Sequence, residues 1–337
     1  MEYLLTTIKG LEDIALKDYK RTKIIHPGKL LLKTKNINKL IYTTRSIIRV
    51  TEILASFKFK KQEDIIKKIK QTKFKINYPY RIQCFREGSH DFNSQDIMSE
   101  GHKLLKGKVD FKKPKTILAV EIIGNTCYLG YLKANELNKR FYKIKTHKTD
   151  INSCLAFLLL KLADCNQKHS LLDPYCGCGT ILIEAALYAK NITPMSLRNK
   201  NKKFDKIKNP KLKLIGFDSM LYNVKNTRIN AKIAKIEKDI ELHQCTIDWA
   251  ETKLEQNSID RIITNLPKNQ EQEFFKNIPN ILAKDAIILI LTINKESLLN
   301  EKEYKLIEKR TAQVGDTVYY LIKCSLKKTL SNKEEKS

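Results

Sequence analysis

The chain has 337 residues, of which 42% are hydrophobic, so it can bury a sizeable core and is long enough for two domains. Lys and Arg number 64 against 37 Asp and Glu, and the resulting formal charge of +27 favours a polyanionic partner such as nucleic acid. A lysine-rich genome would also raise the lysine content, so the charge indicates such a partner without deciding it.

Several classes of protein and site are not expected from the remaining composition. The longest apolar runs are far shorter than the roughly 20 residues that cross a bilayer, and no secretory signal pattern is found, so we expect a cytoplasmic protein. The eight cysteines include no C-x-x-C pair and the six histidines show no ligand spacing. We therefore expect no metal site, and cysteines that act as small buried residues.

Short strand-like and helix-like segments alternate over residues 1–137. Apolar, β-branched runs predict strands at 3–8, 29–34, 81–85 and 117–123. Apolar residues at helical spacing predict helices over 10–19 and 63–69. This half of the chain is therefore predicted to be an α+β module.

Residues 151–326 instead repeat strand and helix in regular order. Helices are predicted from Thr180, over 224–233 and from Gln270. The predicted strands lie between them, at 170–173, 213–218, 240–244, 259–264 and 287–291. This alternation predicts an α/β domain with a doubly wound, mostly parallel sheet. The polar residues 138–150 are interpreted as a linker, and residues 327–337 as a disordered tail.

The most specific motif begins where the first strand of this domain ends. Asp173 is followed by a G-x-G turn at Gly177 and Gly179, which lets the backbone approach a ligand at the carboxyl edge of the sheet. Phosphate-binding loops require G-x-G-x-x-G or G-K-[ST], and neither is present. The longer pattern D-P-x-C-G-x-G-T, followed by I-E-A-A, resembles motif I of the Rossmann-like methyltransferases, in the form found in THUMP-containing RNA methyltransferases.

The resemblance implies S-adenosylmethionine as cofactor and assigns its pocket residue by residue. Asp173 and the two glycines would line its methionine part, Asp218 would accept hydrogen bonds from the ribose hydroxyls, and Asp248 would lie near the adenine amino group. Each aspartate could alternatively cap the helix that follows it. The cofactor-binding residues implied are Asp173, Pro174, Cys176, Gly177, Gly179, Thr180, Asp218 and Asp248.

A second motif, Asn265-Leu266-Pro267, lies at the end of the fourth strand. It resembles the catalytic motif of enzymes that methylate exocyclic amino groups, and N-L-P is the form of guanine-N2 members. An amide oxygen and a backbone carbonyl would accept the two amine protons and orient the nitrogen. Lys268 and Asn269 replace the aromatic residue and the glycine of the family pattern. Lys268 could contact a phosphate, or another aromatic residue, for instance Phe274 or Phe275, could supply the ring. The alternative is that the protein binds RNA and cofactor without turnover.

The first half of the chain resembles the same family. Residues 3–13 resemble its opening strand and helix start, and residues 81–94 resemble a THUMP strand and turn. The resemblance implies a ferredoxin-like portion at 1–50 and a THUMP domain at 51–137, which would hold the acceptor end of tRNA through phosphates. Candidate RNA contacts are Arg81, Arg86, Lys103, Lys106, Lys108 and Lys268.

The function that these resemblances imply is S-adenosylmethionine-dependent formation of N2-methylguanosine in the tRNA acceptor stem. Two alternatives remain. The first is a methyltransferase acting on ribosomal RNA or DNA, and the second is a catalytically inactive RNA-binding protein. No membrane or obligate protein partner is implied.

Overall fold

Two sheets organise the fold in a computed structural model that describes residues 1–199, 203–211, 213–295 and 303–327. The predicted disordered tail lies outside the described residues apart from Lys327. The strands are β1 (Glu2–Thr6), β2 (Thr22–His26), β3 (Lys29–Lys33), β4 (Arg49–Lys58), β5 (Tyr80–Glu87), β6 (Thr116–Ile123), β7 (Thr126–Ala134), β8 (Ser170–Asp173), β9 (Lys213–Phe217), β10 (Ile240–His243), β11 (Ile259–Asn265), β12 (Leu282–Thr292), β13 (Tyr304–Val314) and β14 (Thr317–Leu326).

Helices follow most of the strands. They are α1 (Glu12–Leu16), α2 (Ile37–Thr43), α3 (Gln62–Gln71), α4 (Ser94–Leu104), α5 (Ser153–Leu162), α6 (Thr180–Ala189), α7 (Pro194–Asn199), α8 (Leu221–Ile233), α9 (Ala250–Lys253) and α10 (Glu271–Asn277). Over the ranges just given, no helix combines the length and the apolar character needed to cross a membrane.

Unit 1 comprises residues 1–7, 15–41 and 47–137. Its sheet has the order β2-β3-β1-β4-β7-β6-β5, in which only β5 and β6 pair in parallel within the described chain. The strands predicted in this half are confirmed as β1, β3, β5 and β6, whereas β2 and β4 are not foreseen by the sequence patterns. This one sheet contains strands from both sides of residue 50. The predicted boundary at that residue, between a ferredoxin-like portion and a THUMP domain, stays a prediction.

Unit 2 comprises residues 8–14 and 42–46 together with the chain from Asn138 onward. Its sheet has the order β10-β9-β8-β11-β12-β14-β13, with five parallel strands and an antiparallel hairpin, β13–β14, at one edge. The predicted, mostly parallel sheet is therefore confirmed. The hairpin is not predicted, because much of β13 is exposed and lacks an apolar pattern.

The middle of this sheet is buried, as parallel strands covered by helices require. All residues of β8 are buried, and so are most residues of α5 and α6. The strand order reverses between β8 and β11, since β9 lies on one side of β8 and β11 on the other. In such sheets a ligand binds at the carboxyl ends of the strands where the order reverses. The fold therefore places a crevice next to Asp173 and Asn265.

A buried ion-pair cluster anchors α6 within unit 2. The Glu184 carboxylate, which is fully buried, accepts hydrogen bonds from Arg140 Nε at 2.9 Å and from the Tyr142 hydroxyl at 3.0 Å. Arg45 Nη1 lies 3.8 Å from the other oxygen. Buried charges are tolerated only when paired in this way. Glu184, part of the I-E-A-A sequence, therefore has a structural role behind the motif I turn.

Candidate active site

A cavity of about 620 Å³ opens at the carboxyl ends of β8, β9 and β11. It brings together most of the residues predicted from the two motifs. Those that line it are Asp173, Cys176, Gly177, Thr180, Asp218, Asn265, Leu266, Pro267 and Lys268. The predicted residues Pro174, Gly179 and Asp248 are not part of its wall, and Asp248 is exposed on a short turn.

The motif I turn depends on two glycines with positive φ. Gly177 has φ 54° and Gly179, which precedes α6, has φ 79°. A Cβ atom at residue 179 would lie 2.5 Å from Thr227 Cγ2, so no larger residue fits there. The Thr227 hydroxyl donates to the Gly177 carbonyl at 2.7 Å. Helix α8 thus holds the turn from behind, a contribution that the sequence patterns do not reveal.

Asp173 ends β8 inside the sheet and is 2% exposed. Its carboxylate accepts a hydrogen bond from the Thr264 hydroxyl at 2.7 Å. Burial raises the pKa of this carboxyl group to about 7, because removal from water disfavours the charged form. Asp173 therefore changes charge near neutral pH, where a cationic ligand group would favour the ionised state.

Asp218 connects the motif I turn to the start of α8. Its carboxylate accepts hydrogen bonds from the Gly177 N–H at 3.0 Å and from the Met220 N–H at 2.9 Å. The side-chain amide of Asn223 donates to both oxygens, at 3.1 and 3.2 Å. Met220 precedes α8, and no side chain in the described ranges caps the first turn of that helix, while Asp218 lies in the cavity wall.

Asn265 ends β11 beside Asp173. Its amide nitrogen donates to the Thr149 carbonyl at 3.0 Å, while the Leu266 N–H donates to the Leu291 carbonyl at 2.8 Å. These bonds fix both the side chain and the backbone of the motif. Residues 147–151 lie in the cavity wall although their polar composition suggests a linker, and no motif identifies them.

The cavity contains aromatic rings, but not those expected. Phe274 and Phe275 lie in the hydrophobic core, 0% and 4% exposed, with ring centroids 5.1 Å apart. The prediction that one of them turns toward the motif is wrong, because both rings are needed to fill the core. Tyr175 and Tyr319 line the cavity instead.

Three residues of the cavity wall each have a buried oxygen that lacks a partner among the described residues. Thr180 Oγ1, Asn223 Oδ1 and the Tyr175 hydroxyl are buried without a hydrogen-bond partner in the described part of the chain. Across the described ranges, no group of three or more His, Cys, Asp or Glu side chains could hold a metal ion.

The basic residues predicted to contact RNA in unit 1 differ in their surroundings. Arg81 donates to the Phe111 carbonyl at 2.9 Å, and Arg86 lies 3.2 Å from His90 Nδ1. Lys103 pairs with Glu100 at 2.7 Å. The side chains of Lys106 and Lys108, also in unit 1, are exposed. The two arginines are thus held by the protein, and their role in RNA binding stays a prediction.

Comparison with known proteins places this geometry in a family. The tRNA (guanine(6)-N2)-methyltransferase of Methanocaldococcus jannaschii is 28% identical over 87% of this chain and 90% of its own. The fold matches that of TrmN from Thermus thermophilus, with a TM-score of 0.75 and 19% identity over 97% of this chain and 100% of that one. It also matches SMU.472, a putative methyltransferase complexed with SAH, with a TM-score of 0.77 and 17% identity over 96% and 97% of the two chains.

The family model described as RMKL-like, methyltransferase domain, matches residues 140–311, just over half of the chain. The matched segment contains β8, β9 and β11 and both motifs of the cavity. The chain therefore belongs to the family of RMKL-like methyltransferase domains.

Proposed function

We propose that this protein is an S-adenosylmethionine-dependent RNA methyltransferase that forms N2-methylguanosine in the acceptor stem of tRNA. The observation that carries the proposal is the pairing of Asp173 and Asn265 at adjacent strand ends in one cavity. The relative from M. jannaschii is named for guanine-N2 methylation of tRNA, and the structural neighbour SMU.472 holds SAH. The formal charge of +27 suits a polyanionic substrate.

The residues around the motif I turn fit S-adenosylmethionine, which supplies an electrophilic methyl group when bound. The Asp173 carboxylate is suited to a cationic amino group. Asp218 and Asn223 both line the cavity, and their polar side chains are suited to ribose hydroxyls. Thr180 lies in the same wall. We assign Cys176, Gly177 and Gly179 to the same pocket through the backbone turn, and Asp248 remains an assignment by resemblance.

Asn265 would orient the guanine amino group. Its nitrogen is occupied by the Thr149 carbonyl, so its Oδ1 is the end that can accept an amine proton. A backbone carbonyl of Leu266 or Pro267 would accept the second proton. Guanine N2 is a weak nucleophile, and holding it in line with the methyl group is the main contribution a protein can make. The base must leave its stack to reach this depth.

Unit 1 would bind the RNA. We assign to it a ferredoxin-like portion and a THUMP domain, with Arg81, Arg86, Lys103, Lys106 and Lys108 as candidate phosphate contacts. Lys268, at the cavity wall, would contact a phosphate near the extruded base. An RNA substrate of this kind also implies a cytoplasmic site of action.

The proposal is tested by transfer of labelled methyl groups to a panel of substrates. Unmodified tRNA transcripts, ribosomal RNA and duplex DNA are compared under one set of conditions. Preferential transfer to tRNA supports the proposal, and preferential transfer to ribosomal RNA or DNA contradicts it. The absence of aromatic residues at Lys268 and Asn269 favours a second candidate, an inactive RNA-binding protein. RNA binding without transfer to any substrate would support that candidate.

A further inference from the structure

The catalytic motif of this chain lacks an aromatic ring of its own. Asn265-Leu266-Pro267 is followed by Lys268 and Asn269, and the next aromatic residue, Phe274, is buried in the core. An extruded base is normally held by stacking on a side chain as well as by hydrogen bonds. A ring that serves this cavity must therefore come from another element.

The sheet brings one tyrosine to the correct edge. Strand β14 runs antiparallel to β12, so its first residues lie where the parallel strands end. In the sheet register, Asn265 lies opposite Leu291 of β12, and Leu291 lies opposite Leu321 of β14. Tyr319 lies two residues before Leu321, which is about 7 Å further along the strand toward the carboxyl edge of the sheet. Strand β12 lies between β14 and β11, so these two strands are about 10 Å apart. These offsets place the Cα atoms of Asn265 and Tyr319 about 12 Å apart, and both residues line the cavity.

The surroundings of Tyr319 leave its ring available. It is half-buried in the cavity wall, beside Ile293 and Thr317, and no hydrogen bond from a described residue holds its hydroxyl. Tyr175, the other tyrosine of the cavity, follows Asp173 on the cofactor side, and its ring packs against Phe274 at 6.4 Å between centroids. The ring of Tyr175 thus packs against the core, whereas Tyr319 lies on the same side of the cavity as the catalytic motif.

From this arrangement we propose that Tyr319 is the stacking platform for the target base, in place of an aromatic residue after the catalytic motif. The inference rests on the proposed function, because it assumes that a base enters the cavity. It assigns the ring of Tyr319, not its hydroxyl, to substrate positioning. Lys268 is left free to hold the phosphate of the same nucleotide.

Matched variants on one strand test the assignment. Tyr319→Ala removes the ring, Tyr319→Phe keeps it, and Tyr320→Ala removes the neighbouring ring, which the pleat directs to the other side of the sheet. We expect Tyr319→Ala to lower kcat/KM for tRNA by about 10- to 100-fold with unchanged affinity for S-adenosylmethionine. Tyr319→Phe and Tyr320→Ala should stay within about twofold of wild type.

A fluorescent base gives a readout that a merely structural role would not change. 2-Aminopurine replaces the target guanine in the tRNA, and its fluorescence should be quenched by stacking in wild type and Tyr319→Phe but not in Tyr319→Ala. Unchanged kcat/KM and quenching in Tyr319→Ala, with an active wild type, would overturn this inference and leave the proposed function standing. Loss of activity in Tyr319→Phe, or of cofactor affinity in Tyr319→Ala, would also overturn it. A wild type that methylates no RNA overturns both.

Discussion

The amide nitrogen of Asn265 donates a hydrogen bond to the backbone carbonyl of Thr149 at 3.0 Å. This bond determines which end of the amide faces a substrate, because the nitrogen is already engaged. The oxygen is then the group that can accept a proton from an amine. A segment interpreted as a linker thereby sets the orientation of the residue that we propose to bind the guanine amino group.

Asn265→Ala should abolish most methyl transfer while leaving the cofactor pocket intact. We expect kcat to fall about 100-fold, since the amine would lose the acceptor that aligns it. Steady-state kinetics with tRNA and calorimetry with S-adenosylmethionine check the two statements. Asn280→Ala is the matched control, because that asparagine is exposed and pairs with Glu251 outside the cavity. An Asn265→Ala variant that retained wild-type kcat would remove the motif from the mechanism.

Cofactor affinity should depend on pH through Asp173, whose pKa lies at about 7. Below this value the carboxyl group is mostly protonated and neutral, and above it the negative charge attracts the cationic amino group of the ligand. Affinity should therefore rise about tenfold between pH 6 and pH 7.5, as the ionised fraction grows.

Asp173→Asn separates this effect from titration of the ligand itself. The variant cannot ionise, so its affinity should be weaker and should lack the part of the pH dependence that Asp173 causes. Equal pH profiles for wild type and Asp173→Asn, measured by calorimetry, would show that the carboxylate does not contact the charged group.

Gly179→Ala should destabilise unit 2 by about 2 kcal/mol or more. Its positive φ alone costs an alanine roughly 1–2 kcal/mol, and the new Cβ would also press on Thr227 Cγ2 at 2.5 Å. Gly315→Ala is the control for the cost of the positive φ alone, because Gly315 has φ 58° and an added Cβ would have nothing within 4 Å. Adding Thr227→Ser, which removes the clashing methyl and keeps the hydroxyl, should restore part of the loss in urea unfolding. Equal losses in the two glycine variants would mean that the turn tolerates a side chain.

Glu184→Gln should lower stability by about 3–5 kcal/mol, because it leaves Arg140 and Arg45 buried without their counter-charge. Burial of the two arginines is nearly complete, so water cannot replace the carboxylate. Thermal unfolding of unit 2 measures the loss, and Glu251→Gln, at an exposed position, provides the control. A change within 0.5 kcal/mol of wild type would contradict the role assigned to the cluster.

The sequence predicts those parts of the site that belong to continuous patterns. Strand β8, the turn after Asp173 and the end of β11 each combine a local apolar run with a short motif, so both the strands and their approximate ends are foreseen. Residues 147–151, Asn223 and Tyr319 come to the cavity through tertiary packing, and their own segments carry no signal. The error over Phe274 and Phe275 has the same origin, because proximity in sequence to a motif does not show which face of a helix is buried.

Identification of the methylated nucleoside tests the proposed function most directly. Wild-type protein and Asn265→Ala are incubated with S-adenosylmethionine and an unmodified tRNA transcript, and the digested nucleosides are analysed by mass spectrometry. We expect N2-methylguanosine from an acceptor-stem position with the wild type and almost none with the variant. A different methylated nucleoside, or equal amounts of N2-methylguanosine from both proteins, would contradict this expectation.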